Sequence, residues 1–443
     1  MKRNPLTLIF AFVFIDLLGY SLFLPLLPYY ADTLGASPLL VGLLIASNAL
    51  AQLVASPTIG RLSDRYGRRP MLVFSIVGTL ISFLMLGLVE PLGGLLSDAT
   101  GGAIGLGTAA LAMLFASRIF DGLAGGNIAL ARAYITDVTD EESRARGLGM
   151  IGAAFGLGFI VGPAMGGLLA NWAPATSAFA EVGLSRYAVP AFAAVLLAAL
   201  NLLGVILWLP ESLTPERRAR MGQRSSRSIL SISELVEAMR RPRFGPLLHI
   251  TFVHNLAFAI FTANFALYTQ YRLELSDQTT SYILTYVGFL AVLVQGLAIG
   301  RLTKRFDEKR LVFAAALLMA PSLLAWGVVS SVPLLLVILA PLALGGGVMN
   351  TVVSSLITKS VYSDEVGGAL GLSSSLESLT RVLAPALGGL LIQRLGAPSL
   401  GIVAGVLMVW LATFIWRRLI VDPDPPLPDR AETGAGEASI PLS

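Results

Sequence analysis

Residues Gly60 to Arg69 read GRLSDRYGRR, a glycine-bounded run with four arginines and one aspartate. It sits between an apolar segment ending near Ile59 and another starting at Pro70. So dense a knot of charge is excluded from hydrocarbon. Two apolar segments that reverse direction across it describe a helical hairpin with its mouth at a membrane surface. Composition agrees: the 443 residues are 55% hydrophobic and 13% charged, with mean hydropathy +0.76, too apolar for a soluble domain. Cysteine is absent and there are two histidines, so neither a disulfide framework nor a cysteine or histidine metal centre is expected, and no cofactor is implied. The net charge of +4 would point to nucleic acid only if lysine and arginine gathered on one solvated face. Here they mark topology instead.

Working outward from the hairpin, twelve apolar runs reach spanning length, at 6–30, 39–60, 71–90, 108–136, 147–171, 188–209, 246–271, 279–300, 311–329, 333–358, 366–394 and 398–416. The expected fold is an all-α polytopic membrane protein. The first run follows Met1-Lys2-Arg3 but continues unbroken past Tyr29 with no small-residue cleavage pattern, so it is expected to be an uncleaved first helix. With a cytoplasmic N-terminus, 25 of the 31 lysines and arginines fall in cytoplasmic segments, against Arg186, Arg272 and Arg394 outside. The positive-inside rule then puts both termini in the cytoplasm, and the cell (inner) membrane is the expected location. The longest polar interruption, 211–245, is a basic linker with topology and anionic-lipid contact as its role, and it carries a short amphipathic piece, SISELVEAMRR. Residues 421–443 form a proline-rich polar tail expected to be disordered. Residues 91–107 hold six glycines and suggest a floppy external loop.

The chain also repeats. A displacement of 240 lays GRLSDRYGRR on GRLTKRFDEK at 300–309, and one of 222 lays GPAMGGLL (162–169) on APALGGLL (384–391). The expected domains are therefore a six-helix bundle over 1–210, the linker, a second six-helix bundle over 246–420 and the tail. Two such parallel repeats enclose a site near the bilayer midplane.

Four stretches carry a family resemblance. They are GRLSDRYGRRPML (60–72), RIFDGLAGG (118–126), GAAFGLGFIVGPAMGG (152–167) and DLLGYSLFLPLLP (16–28). Together they resemble the major facilitator superfamily, and within it the twelve-helix drug:proton antiporter branch that includes the tetracycline effluxers. The resemblance covers about residues 1 to 420 and implies two pseudo-symmetric bundles working by alternating access. It implies, too, that the 152–167 helix, with Gly152, Gly156, Gly162, Pro163, Gly166 and Gly167, seals the interface between halves; ordinary close packing of small residues is the other reading. Finally, it makes Gly60, Asp64, Arg65, Gly67, Arg68 and Arg69 a conformational gate, in which Asp64 docks near the amino end of the eleventh helix. The second-half copy has Lys304 in place of that acid.

Asp16 is the leading proton-coupling candidate. It lies about ten residues, roughly 15 Å, into the first helix, where a carboxylate is costly unless it is protonated or paired. A structural carboxyl bonded to neighbouring helices is the alternative. Displaced by 239, Asp16 falls on Asn255, so the second half lacks the acid. Glu377 is a second candidate, although Arg381 follows at i+4 and a neutral pair is as good an account. Arg118 and Asp121 share a helix face and can pair locally, while Asn127 comes nearer the level of Asp16. Asn48, Gln52, Arg118, Asp121, Asn127, His254, Asn255 and Arg381 are the expected cavity residues, with His254 either titrating in the cycle or simply hydrogen-bonded.

The expected function is proton-coupled export of a small apolar or amphiphilic compound. A facilitator or symporter for a metabolite or lipid is the alternative, and a non-transporting sensor a further one. No clustered acid, base and nucleophile marks an enzyme. Partners are the small-molecule substrate, the proton and membrane lipids, with no nucleic acid, and the chain is expected to be a monomer.

Overall fold

The computed structural model describes residues 5–214 and 232–422, all helices and turns with no strand among them. Twelve helices are long and apolar enough to cross a membrane. Numbered in chain order, span 1 is Leu6–Thr33, span 2 Pro38–Tyr66, span 3 Arg68–Gly87, span 4 Leu106–Val138, span 5 Arg146–Ala170 and span 6 Ala188–Trp208. Span 7 is Phe244–Leu273, span 8 Asp277–Arg305, span 9 Glu308–Val328, span 10 Val332–Lys359, span 11 Val366–Leu395 and span 12 Pro398–Val421. Of the linker, residues 215–231 lie outside the described residues, as do residues 423–443 of the tail. The amphipathic piece forms a helix, Ile232–Arg240.

The opening stretch is tighter than a ten-residue turn. Span 2 stays helical through Tyr66 and span 3 begins at Arg68, so the whole reversal falls on Gly67. Its φ of 110° is open to glycine and strained for other residues, and its N–H still reaches Ser63 O at 3.0 Å. Gly60, by contrast, sits inside the helix with nothing within 4 Å of where a Cβ would lie.

Two spans break where the sequence read them as continuous. In span 1 the helix Pro5–Phe23 gives way to a turn before Leu27–Thr33; Pro25, with no N–H and a fixed φ, falls in that turn. Span 4 breaks at Gly125–Gly126, between Leu106–Ala124 and Asn127–Val138. The freed backbone groups at that break find a partner in Ser75 of span 3: its Oγ donates to Ala124 O and accepts from Gly126 N at 3.1 Å. Span 8 widens into a π-helical turn over Val294–Ala298. The expected floppy loop at 91–107 is instead helical over Val89–Ala99. There Gly93 lies against the backbone of Ala110, and Glu90 accepts a 2.8 Å hydrogen bond from the Tyr30 hydroxyl.

The chain divides into two compact units. The first comprises Met1–Arg227 with Phe265–Val292, and the second Ser228–Asn264 with Leu293–Ser443. Parts of spans 7 and 8, from the second sequence repeat, thus pack with the first. The core of the first unit is apolar, with Ile9, Leu72, Ile76, Leu130, Ile135 and Val205 buried together. In the second unit, span 9 packs on spans 10 and 12, and Trp326 is fully buried against the edge of Phe261, ring centroids 5.0 Å apart.

The internal repeat leaves a charge signature. In the first unit Arg68 pairs with Asp137 at 3.0 Å, and in the second Lys359 pairs with Glu308 at 2.7 Å. The displacements of 240 and 222 carry Arg68 onto Glu308 and Asp137 onto Lys359. Both units keep the clamp, with its charges exchanged.

Candidate functional site

Asp16 projects from span 1 into the helical core of the first unit. The break in span 4 makes Asn127 the first residue of the helix that follows. There its Nδ2 donates to Asp16 Oδ1 at 2.7 Å. Among the described residues no cation pairs with Asp16. A small cavity opens beside the pair, walled by Ile9, Phe12, Val13, Leu72, Ile76 and Val205, with Asp16, Asn127 and Asn201 as its polar residues.

One turn before the break lies a second polar group. Arg118 Nη1 stands 3.6 Å from Asp121 Oδ2 with both side chains buried, and Asn48 Nδ2 donates to the same oxygen at 3.0 Å and to Arg118 O at 2.9 Å. Arg118 Nη2 also donates to Ser82 Oγ at 3.0 Å, and its guanidinium lies 5.8 Å from the Phe83 ring centre. Local pairing therefore accounts for Arg118, which makes no bond to Asp16. Gln52, partly buried, lies against Gly125.

At the hairpin, Arg68 is buried between two acids, 2.6 Å from Asp64 and 3.0 Å from Asp137, and also donates to Ser63 Oγ. The backbone N–H groups of Arg68 and Arg69 donate to the Glu211 carboxylate at 2.9 and 3.1 Å. Those are orphan donors of a helix start, where a carboxylate is favoured. Arg65 is exposed, 5.5 Å over the Tyr66 ring. Asp64 is thus bonded within its own hairpin.

The span 5 glycines divide by neighbour. A Cβ on Gly162 or Gly166 would collide with Ser21 or with the Leu22 carbonyl of span 1. On Gly156 or Gly167 it would come within 2.7 Å of Val292 or Ser281. Gly152 faces nothing within 4 Å. The helix runs on through Pro163.

The end of the first unit remote from the hairpin is closed by polar contacts onto Phe265–Val292. Tyr29 meets Thr280 Oγ1 at 2.7 Å and donates to Leu275 O at 2.9 Å, and Thr280 meets Thr269 at 2.9 Å. Tyr271 donates to Asp32 at 3.2 Å. Arg186 Nη2 pairs with the buried Asp277 at 3.2 Å and donates to the Tyr187 hydroxyl at 2.9 Å. Burial, seconded by the Asp277 charge, pushes the Tyr187 phenol up to about 12, so it stays neutral.

In the second unit Glu377 and Arg381 form an ion pair of 2.6 Å, both side chains about half exposed. His254 is buried and stacks on Phe258 at 5.9 Å, with Nδ1 lacking a hydrogen-bond partner, and Asn255 is partly buried. Asn264 Nδ2 donates to Ile260 O and Ala384 O at 3.0 and 3.2 Å.

Sequence reasoning passed over Asn201, Ser82, Glu211 and Asp277. Asn201 alone left a signal, as the one carboxamide in the middle of the span AVPAFAAVLLAALNLLGVILW. The others lie near span ends or are common small polar residues, and only their partners distinguish them.

A model of the Major Facilitator Superfamily matches residues 9–298 and 247–442. Solute carrier family 22 member 18 of Mus musculus is 28% identical over 393 residues, covering 89% of this chain and 90% of that protein. The class C tetracycline resistance protein of Escherichia coli is 30% identical over 392 residues, covering 87% and 88%. Among solved structures, a D-xylose-proton symporter superposes with a TM-score of 0.70 at 17% identity, covering 93% and 97%, a likeness of fold.

Proposed function

The chain belongs to the major facilitator superfamily and is a secondary transporter, and from that premise we propose that it exports a small apolar or amphiphilic compound in exchange for protons. The observation that carries this reading is the mid-span Asp16 carboxyl, bonded to an amide and, among the described residues, paired with no cation. A carboxylate so placed in a bilayer is stabilised by taking up a proton, and it becomes charged again when water reaches it. Glu377 is neutralised by Arg381 instead, which favours Asp16 as the carrier. The tetracycline resistance relative supports export over uptake. In this reading both termini are cytoplasmic, the membrane is the cell (inner) membrane, and the working unit is a monomer. The hairpin acids and arginines exchange partners between access states. Adding substrate to loaded proteoliposomes tests the coupling: antiport makes the substrate-receiving side lose protons as substrate enters, whereas symport acidifies it.

The contacts of Tyr29, Asn171 and Arg186 onto residues 269–281 act in this cycle as the outer closure. Substrate leaves only after they part. The chain has no cysteine, so Ser281→Cys, at a fully buried position, supplies a single probe. Removing its buried partner with Asp277→Ala frees Arg186. Labelling by a membrane-impermeant maleimide is expected to speed up about tenfold or more. Equal labelling rates in the two backgrounds would remove the closure role from this ion pair.

A further inference from the structure

Glu377 and Arg381 are the only Asp, Glu, Lys or Arg residues away from the ends of spans 7–12. They pair at 2.6 Å, yet their side chains are 46% and 57% exposed. Counted from Val366, they stand roughly 17 and 22 Å into span 11, too deep for either head to snorkel to the surface. Half-exposed charges at that depth are costly against lipid, so the face of span 11 that carries them is wetted. Ser374 continues that face one turn away, while Leu383, Leu387 and Leu390 are exposed on another. Neighbouring elements add polar groups at the same depth. Span 10 packs beside span 11 and beside the π-helical turn of span 8, where Gly347 lies against Val294. Gln295 in that turn and Asn350 on span 10 are exposed, roughly 15 and 14 Å from the ends of their spans on the same side of the membrane as Val366. Among the described residues neither side-chain amide has a protein partner.

We propose that Arg381, held by Glu377, receives the anionic head of the transported compound, whose class is then an amphiphilic organic anion, a carboxylate or sulfonate on an apolar body. A guanidinium carries five N–H donors, and among the described residues Arg381 spends one of them, on Glu377 Oε1. The remaining donors form a planar fork that a carboxylate or sulfonate accepts from in two parallel bonds. Glu377 fixes the arginine and balances its charge when the site is empty. The amides of Gln295 and Asn350 are further donors at that level. A cationic compound would meet Arg381, the more exposed member of the pair, as a like charge. Phospholipid head groups lie at the bilayer surface, well outside the level of these residues. The inference rests on the proposed export for the path of the compound, and the binding itself is tested without a gradient.

Equilibrium binding to the full-length protein in phosphatidylcholine vesicles tests the site with three compounds that share an aromatic body: naphthoate, naphthamide and naphthylmethyl-trimethylammonium. The parent protein should bind naphthoate about tenfold or more tighter than the other two. Arg381→Gln should remove that preference and keep the weaker binding of the amide, a split that general damage would not give. Arg381→Lys, with the charge but without the planar fork, should restore part of the preference. If Arg381→Gln does not fold, the ranking in the parent decides. Equal affinity for the three compounds, preference for the ammonium, or no binding of any of them overturns the proposal. So does a preference that Arg381→Gln leaves unchanged. Naphthoate bound with this preference but not accumulated under a pH difference keeps the site and overturns the export reading. Accumulation of the ammonium compound by a protein without the preference overturns the site and leaves export standing.

Discussion

Asp16→Asn protein in proteoliposomes is expected to show no substrate accumulation driven by a pH difference, while exchanging labelled for unlabelled substrate at equal pH. Asparagine matches aspartate in shape and keeps a hydrogen bond to Asn127, so the first unit should fold as before. What it lacks is a group that can gain and lose a proton. Proton and substrate movements are tied together only if the transporter changes its access state more readily with that site neutral. A permanently neutral site removes the tie and leaves the movement. The measurement is a pair of fluxes from one preparation. Accumulation against a gradient in the variant would exclude Asp16 as carrier and return attention to Glu377.

The second large effect lies in span 5. Gly166→Val is expected to abolish recovery of folded, monodisperse protein, and Gly162→Val to do nearly the same. A Cβ on Gly166 collides with the Leu22 carbonyl, a backbone atom that cannot swing aside as a side-chain tip can. Overpacking of a close-packed interior costs about 1–3 kcal/mol where neighbours can shift; here two helices must separate along their length. Small residues are what let membrane helices associate at all, because lipid supplies no hydrophobic drive between them. Gly152→Ala is the control within the same motif. With nothing within 4 Å of its Cβ, it should alter thermal stability by less than about 0.5 kcal/mol. Thermal unfolding monitored in detergent compares the three. A Gly166→Val protein as stable as the parent would show that the span 1–span 5 contact does not limit stability.

The glycine motif shows how far sequence could go. The four-residue spacing announced a small-residue face but not which glycine met which neighbour. In space the face splits, Gly162 and Gly166 against span 1, Gly156 and Gly167 against residues 281–292, with Gly152 against neither. The polar residues behave alike. Asp16 and Asn127 could be placed at similar depth by counting rise per residue, and they bond. Asn201, 185 residues from Asp16 along the chain, could not be joined to them by any spacing rule. Nor could Asp64 be seen to bond Arg68 within its own hairpin, since the charge pattern fits several partners equally.

The sequence by itself determined the membrane class, the twelve spans, the hairpin and the family. The first three follow from what a bilayer demands of every segment separately: enough apolar length, backbone bonds satisfied within the helix, and charge kept at the surface; the family came from the resemblance that four motifs carry. The tertiary structure alone decided that residues 265–292 pack with the first unit, that the repeated clamp exchanges its charges, and that Asn201 shares a cavity with Asp16. Those depend on which helices become neighbours and on the rotation of each about its axis. Lipid constrains a helix's length and apolarity but is indifferent to its neighbours, so packing between side chains makes that choice.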